Sequence, residues 1–197
     1  MTVTEPSHVD GPLRVAIILG STRPGRLGEP VANWVYDIAK QRRDATFELV
    51  DLKAFPLPHL DEAIPPSVGR YAEDHTKRWA VKIETFDAFV FVTPEYNHST
   101  SGALKNAIDF LYKEWNNKVA GFVSYGAAGG VRAVETLRLV MSELQVATVR
   151  AQVSFYLATD FVNFHDFRPD PSKEAMVAKM LDQVVAWGLA LRRVRLG

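Results

Sequence analysis

The sequence predicts an α/β fold. It reads as a doubly wound three-layer sandwich, with a five-stranded parallel sheet of order 2-1-3-4-5 and helices on both faces. Three observations predict it. Five short apolar runs alternate with five longer amphipathic segments along the 197 residues, the rhythm of β–α–β units. Runs such as Val15-Ala16-Ile17-Ile18-Leu19 are apolar without alternation, as strands covered on both faces must be. A hydrophobic content of 47% at this length suffices to fill one core.

The polar stretch 1–12 reads as a flexible tail, which leaves 13–197 as one domain. Strand 14–19 runs into a glycine-containing loop and a helix at 28–43. Strand 46–51 leads to the connection 53–68, which holds four of the chain's 11 prolines, and then to a helix at 69–85. Strand 88–93, helix 101–113, strand 119–124 and helix 130–144 follow. Strand 146–153 precedes a second long connection, 155–171, with the aromatics Phe155, Tyr156, Phe161, Phe164 and Phe167, and the last helix is read at 172–193. Connections this long serve either a site, a subunit contact or plain satellite packing. In a sheet of this order, ligands bind at the carboxyl ends of strands 1 and 3, where the winding reverses. The loops after strands 1, 3 and 4 are therefore the candidates.

The first loop, Gly20-Ser21-Thr22-Arg23-Pro24-Gly25-Arg26, has the chemistry of a phosphate site. Glycine lets the backbone approach an anion, and N–H groups at a helix start point at it. Ser21 and Thr22 offer hydroxyls, while Arg23 and Arg26 offer charge-assisted bonds. The spacing of Gly20, Gly25 and Gly28 is not GxGxxG, and no Gly-Lys-Ser/Thr follows, so the expected guest is a terminal monophosphate. The loop after strand 3, Pro94-Glu95-Tyr96-Asn97-His98-Ser99, offers backbone groups and the Tyr96 ring to the edge of a flat heteroaromatic. The plainer reading is that Ser99 or Ser101 caps a helix and Tyr96 packs locally. After strand 4, Ser124-Tyr125-Gly126-Ala127-Ala128-Gly129-Gly130 is almost free of side chains. A turn needs one or two of its three glycines, so the third favours a ligand lying against the backbone. A ring on a chain ending in one phosphate describes flavin mononucleotide (FMN).

Composition excludes several classes. There are 23 basic and 23 acidic residues, so no global charge attracts nucleic acid or an anionic membrane. With no cysteine, thiol nucleophiles, disulfides and Cys-ligated metals are out; a reducing cytoplasm suits that composition. No apolar stretch approaches the ~18 residues of a membrane span. His8, His59, His75 and His165 have no metal-ligand spacing, and there is no G-x-S-x-G elbow. His165 and Asp166 are placed to pair with each other. Asp109 and Lys113, four apart, are read as an intrahelical pair in preference to a pair across an interface. Arg192, Arg193 and Arg195 are read as complementing the dipole of the last helix.

These motifs resemble the NADPH-dependent FMN reductases, a flavodoxin-like family that includes quinone, azo-dye and chromate reductases. The resemblance lies in Gly20-Ser21-Thr22-Arg23, in Pro94-Glu95-Tyr96-Asn97 with the following Gly102-Ala103-Leu104-Lys105-Asn106-Ala107-Ile108-Asp109, and in the loop 126–130; it covers residues 13–191. It implies that Ser21 and Arg23, assisted by Arg26, hold the FMN phosphate. Pro94, Glu95, Tyr96 and Asn97 would line the isoalloxazine, and Ser124, Tyr125, Gly126, Gly129 and Gly130 would border its other edge. Where many members carry a serine or asparagine at the start of the first helix, this chain has Leu27-Gly28-Glu29, and an N–H of Gly28 is expected in its stead. The resemblance also implies a hydride relay from NADPH or NADH through flavin N5 to a small-molecule acceptor such as a quinone, azo compound or free flavin. No side chain has an obligatory acid–base role in that scheme, and His98 is more simply a polar loop residue than a proton donor. A cytoplasmic homodimer or homotetramer is implied, with helices 101–113 and 130–144 and the loop 53–68 as contact surfaces. The alternative is an FMN-binding electron carrier or sensor without reductase activity.

Overall fold

The computed structural model describes residues 11–196. Residues 1–10, most of the expected tail, lie outside that range. The strands are β1 (Leu13–Leu19), β2 (Ala45–Asp51), β3 (Ala88–Pro94), β4 (Val119–Gly126) and β5 (Ala147–Tyr156). They form one parallel sheet of order β2-β1-β3-β4-β5, as expected. Helices α1 (Gly28–Ala39) and α5 (Lys173–Leu196) cover one face; α2 (Asp74–Glu84), α3 (Gly102–Asp109) and α4 (Val131–Glu143) cover the other.

Successive residues of β1 serve opposite cores. Val15, Ile17 and Leu19 pack with Val31 and Val35 of α1 and Met180 and Val184 of α5. Ala16 and Ile18 join Phe89, Phe91, Phe122, Trp79 and Trp115 on the other face. Every residue of β3 and β4 is buried, which explains their unbroken apolar runs. Gly121 marks a shift in the β4–β5 register, and a methyl there would come within 2.9 Å of Val184.

The helices differ from the sequence reading at their ends. The second begins at Asp74 rather than 69, because Gly69 adopts φ +70° and ends a short 3₁₀ turn, Pro66–Val68. The Glu62 carboxylate then accepts from the N–H groups of Ala72 and Glu73 just ahead of the helix. The third helix stops at Asp109. Its last carbonyls are taken by indoles: Trp79 donates to Ala107 O at 2.7 Å and Trp115 to Ile108 O at 3.2 Å. Lys113 is thus off the helix and donates to Val68 O, and Asp109 pairs with Lys105 instead. The connection expected at 155–171 gives Phe155 and Tyr156 to β5 and folds a hairpin of β6 (Phe161–Val162) and β7 (Asp166–Phe167).

Two of the three terminal arginines also correct the sequence reading, whereas Arg193 lies in the last turn as expected. Arg192 and Arg195 reach Asp87 at the amino-terminal end of β3, and Arg192 also donates to the carbonyls of Gly11 and Pro12. A half-buried carboxylate attracts them more strongly than their own helix end does. Burial pushes the Asp87 carboxyl up, but Arg192, the Arg14 N–H and Arg195 outweigh it and leave it below the usual carboxylate range.

Candidate functional site

The loops after β1, β3 and β4 converge on one cleft of about 280 Å³ at the carboxyl ends of the strands. Arg23, Gly25, Arg26 and Leu27 form its first wall, Pro94, Glu95 and Tyr96 its second, and Tyr125, Gly126 and Ala127 its third. Leu157, which follows β5, closes it. A larger cavity of about 860 Å³ opens at the opposite end of the sheet; of the three arginines that line it, Arg192 and Arg195 are bound to Asp87 and the Arg14 guanidinium lies over the Phe86 ring.

The first loop is drawn tight against the sheet. Gly20 N–H donates to Val92 O at 2.9 Å, and a methyl on Gly20 would come within 2.8 Å of Leu104. Ser101 caps α3, accepting from Leu104 N–H at 3.1 Å, while its hydroxyl donates to Gly20 O. The plain reading of Ser101 as a cap therefore holds. Ser21 is fully buried, with its Oγ 3.0 Å from Tyr96 Oη, so the first and second loops are bonded through the site.

Two arginines of this loop have different surroundings. Arg26 is buried and donates all five N–H groups to protein atoms. Nη1 meets Asp51 Oδ1 and Ser21 O, both at 2.7 Å, and Nη2 meets Asp51 Oδ2 at 2.5 Å and Glu29 Oε2 at 3.2 Å. Nε also faces Glu29, at 3.3 Å. Asp51 hydrogen bonding lifts Arg26 above even its ordinary pKa. Arg26 therefore shapes the loop. Arg23 is exposed on the cleft wall and has no ion pair among the described residues.

The second loop is a hairpin turn. Tyr96 and Ser99 exchange backbone hydrogen bonds at 2.9 and 3.1 Å, and Asn97 and His98 occupy its tip at φ +49° and +73°. Both tip residues are exposed and outside the cleft lining. Glu95 does more than lend its backbone. Its carboxylate is 6% exposed, accepts from Arg132 N–H at 3.2 Å and pairs with the Arg132 guanidinium. Gly130, the residue before α4, has no side chain to cap that helix, so Glu95 caps it from the facing loop. This fixes the separation of the second and third walls.

In the third loop, only Gly126 and Ala127 face the cleft with Tyr125. Gly129 and Gly130 have φ +72° and +71°, and a methyl on Gly130 would come within 2.7 Å of Ser124 Cβ. Two of the three glycines thus answer to the turn. Ser124 points away from the cleft wall, donating to Gly129 O at 2.7 Å. Gly28 is buried behind Tyr125, where a methyl would come within 2.5 Å of Tyr125 Oη. Burial, with Tyr96 close by, holds the Tyr125 phenol above its usual pKa, and Ser21, Arg26 and Arg23 only partly offset this, so it is a neutral O–H.

The sequence reading named Leu27 and Ala127 within its loops without giving either side chain a role, and it did not single out Leu157 or Arg132. A basic residue two places after Gly130, opposite Glu95, was a usable charge signal for Arg132. Leu157 had none, because its place depends on how the chain turns back after β5.

Residues 13–160 match the family model described as NADPH-dependent FMN reductase. The chain belongs to that family. An NAD(P)H-dependent FMN reductase from Nectria sp is 39% identical over 157 residues, covering 75% of this chain and 78% of the relative. An NAD(P)H:quinone oxidoreductase from Solanum tuberosum is 31% identical over 160 residues, 79% of this chain and 74% of the relative. In fold, the chain is similar to FerB, a flavoenzyme NAD(P)H:(acceptor) oxidoreductase from Paracoccus denitrificans. There the TM-score is 0.70 at 24% identity, covering 89% of this chain and 97% of the other. Among the described residues, no helix is long and apolar enough to cross a membrane, and no cluster of metal-ligating side chains occurs.

Proposed function

We propose that this protein is an FMN-dependent NAD(P)H oxidoreductase that reduces a small-molecule acceptor of the quinone, azo or flavin type. One observation carries the reading: the three loops converge on a single cleft where the winding of the sheet reverses. The names of the relatives support NAD(P)H as donor and a quinone or flavin as acceptor.

The residues fit FMN at both ends. Gly25 at φ +65°, the exposed Arg23 and the uncapped start of α1 suit a phosphate, and Ser21 lies at the base of the loop. A flat slot between Pro94–Tyr96 and Gly126–Ala127 suits the ring, with Leu157 apolar beside it. When bound, FMN supplies the two-electron chemistry between nicotinamide and acceptor. The protein positions it: Arg26 and Asp51 hold the phosphate loop, Glu95 and Arg132 hold the slot open, and Tyr96 with Ser21 joins the two. The cytoplasm, where reduced nicotinamide nucleotides are plentiful, is the proposed compartment. A homodimer or homotetramer is proposed as well, with α3, α4 and the loop 53–68 as its contact surfaces. Light scattering of the FMN-loaded protein tests this; a monomer at micromolar concentration contradicts it.

Steady-state consumption of NADPH and NADH against a panel of quinones, azo dyes and free FMN tests the activity. Turnover with at least one donor–acceptor pair is expected; FMN-loaded protein inert across the panel contradicts it.

A further inference from the structure

A hydroxyl buried at the cleft makes no hydrogen bond of normal geometry, although the Ser21 hydroxyl is near enough to influence it. Tyr125, near the end of β4, is 5% exposed, and its Oη is shielded and without a hydrogen-bond partner. Packing does not call for that oxygen. The ring sits against the first turn of α1 and near Phe161, at a centroid distance of 6.5 Å, and a phenylalanine would fill the same slot. A buried unpaired O–H is a net penalty in the free protein.

The hydroxyl stands at the first residue of α1, where Gly28 leaves it room. That helix end is also incomplete. Leu27, in the cap position, provides no side-chain acceptor, and the segment Leu27-Gly28-Glu29 contains no hydroxyl. The Glu29 carboxylate is turned to Arg26. Unpaired helix N–H groups and an unpaired phenol therefore adjoin each other, beside Arg23 and Gly25 on the cleft wall. The other two hydroxyls there, Ser21 and Tyr96, are already bonded to one another.

We propose that Tyr125 is a phosphate-binding residue: its Oη donates to the terminal phosphate of FMN seated on the amino end of α1, and Gly28 is the opening that admits it. This rests on the FMN reading above. It distinguishes Tyr125 from a residue that merely packs against the flavin ring, because it makes the contact specific to the phosphorylated cofactor.

Apoprotein of the wild type and of Tyr125→Phe is titrated with FMN and with riboflavin, following flavin fluorescence, and each is melted with and without flavin. A hydrogen bond to a charged group is lost only for FMN, so its Kd rises about 10- to 100-fold in the variant. Riboflavin affinity stays within about twofold, since riboflavin has no phosphate to lose. The apo variant melts at the same temperature or higher, because an unpaired buried O–H has been removed. An unchanged FMN Kd, equal weakening of both flavins, or a variant that melts lower or fails to fold overturns the proposal and makes Tyr125 structural. Wild-type protein that binds neither flavin overturns the cofactor reading and this inference with it; wild type that binds FMN no better than the variant does overturns this inference alone.

Discussion

Arg26 donates every guanidinium proton inside the protein, whereas Arg23, three residues earlier, is exposed on the cleft wall. Their substitutions should separate accordingly. Arg23→Ala should weaken FMN binding at least about tenfold, through a lost charge-assisted contact, with little effect on unfolding. Arg26→Ala should destabilise the protein by about 2 kcal/mol, less than for a fully buried pair because Asp51 is one-third exposed. Fluorescence titration and urea unfolding of both variants check this, and the reverse pattern would refute the assignment. Lys118 gives a pH prediction. Burial, then the charge of Arg195, pushes its ammonium down to about 7, although Nζ donates to Ile83 O and Glu84 O. Between that value and the ordinary lysine range the unfolded chain binds more protons than the folded one, so this residue makes stability rise with pH across the window. Relative to Lys118→Met, the wild type should gain stability from about pH 7 to about pH 9.5; parallel unfolding profiles would contradict it.

At the scale of elements, the loop after β4 shows what a sequence pattern leaves open. Three glycines suggested room for a ligand, yet Gly129 and Gly130 are required by left-handed backbone and by contact with Tyr156 and Ser124. Gly130→Ala should therefore cost at least about 2 kcal/mol in a denaturant titration even without flavin. A loss confined to flavin affinity would show that the glycine serves the ligand after all. The hairpin of β6 and β7 escaped the sequence reading because its turn is built from Asn163 and Phe164, both at positive φ, rather than the Asn-Gly that such turns favour. Phe164 is 67% exposed, so Phe164→Gly should stabilise the protein by about 1 kcal/mol through relief of backbone strain. An unchanged or lower unfolding midpoint would contradict that. Helix ends were hidden for a similar reason. Asp109 ends α3 where Trp115 takes the carbonyl of Ile108 and the distant Trp79 takes that of Ala107, the second a contact no local pattern encodes.

Across the whole molecule, the sheet order and the location of the cleft were legible because both follow from alternation and winding, which are long-range only in a regular way. Strand-buried runs such as Phe89-Val90-Phe91-Val92 left little choice for β3. What stayed hidden were the ties between distant segments: Arg26 to Asp51, Glu95 to Arg132, and Arg192 with Arg195 to Asp87. Each joins charges that are ordinary surface residues until the fold brings them together. The first two tie down the walls of the proposed flavin site; the third pins the last helix to the far end of the sheet. The central claim is that this frame holds FMN for two-electron transfer from a nicotinamide to an acceptor. Anaerobic mixing of the FMN-loaded protein with NADPH or NADH, followed by a quinone, tests it most directly through the visible absorption of the bound flavin. The account predicts bleaching by at least one nucleotide and recovery of the absorption on adding quinone; bound flavin that neither nucleotide bleaches would contradict it.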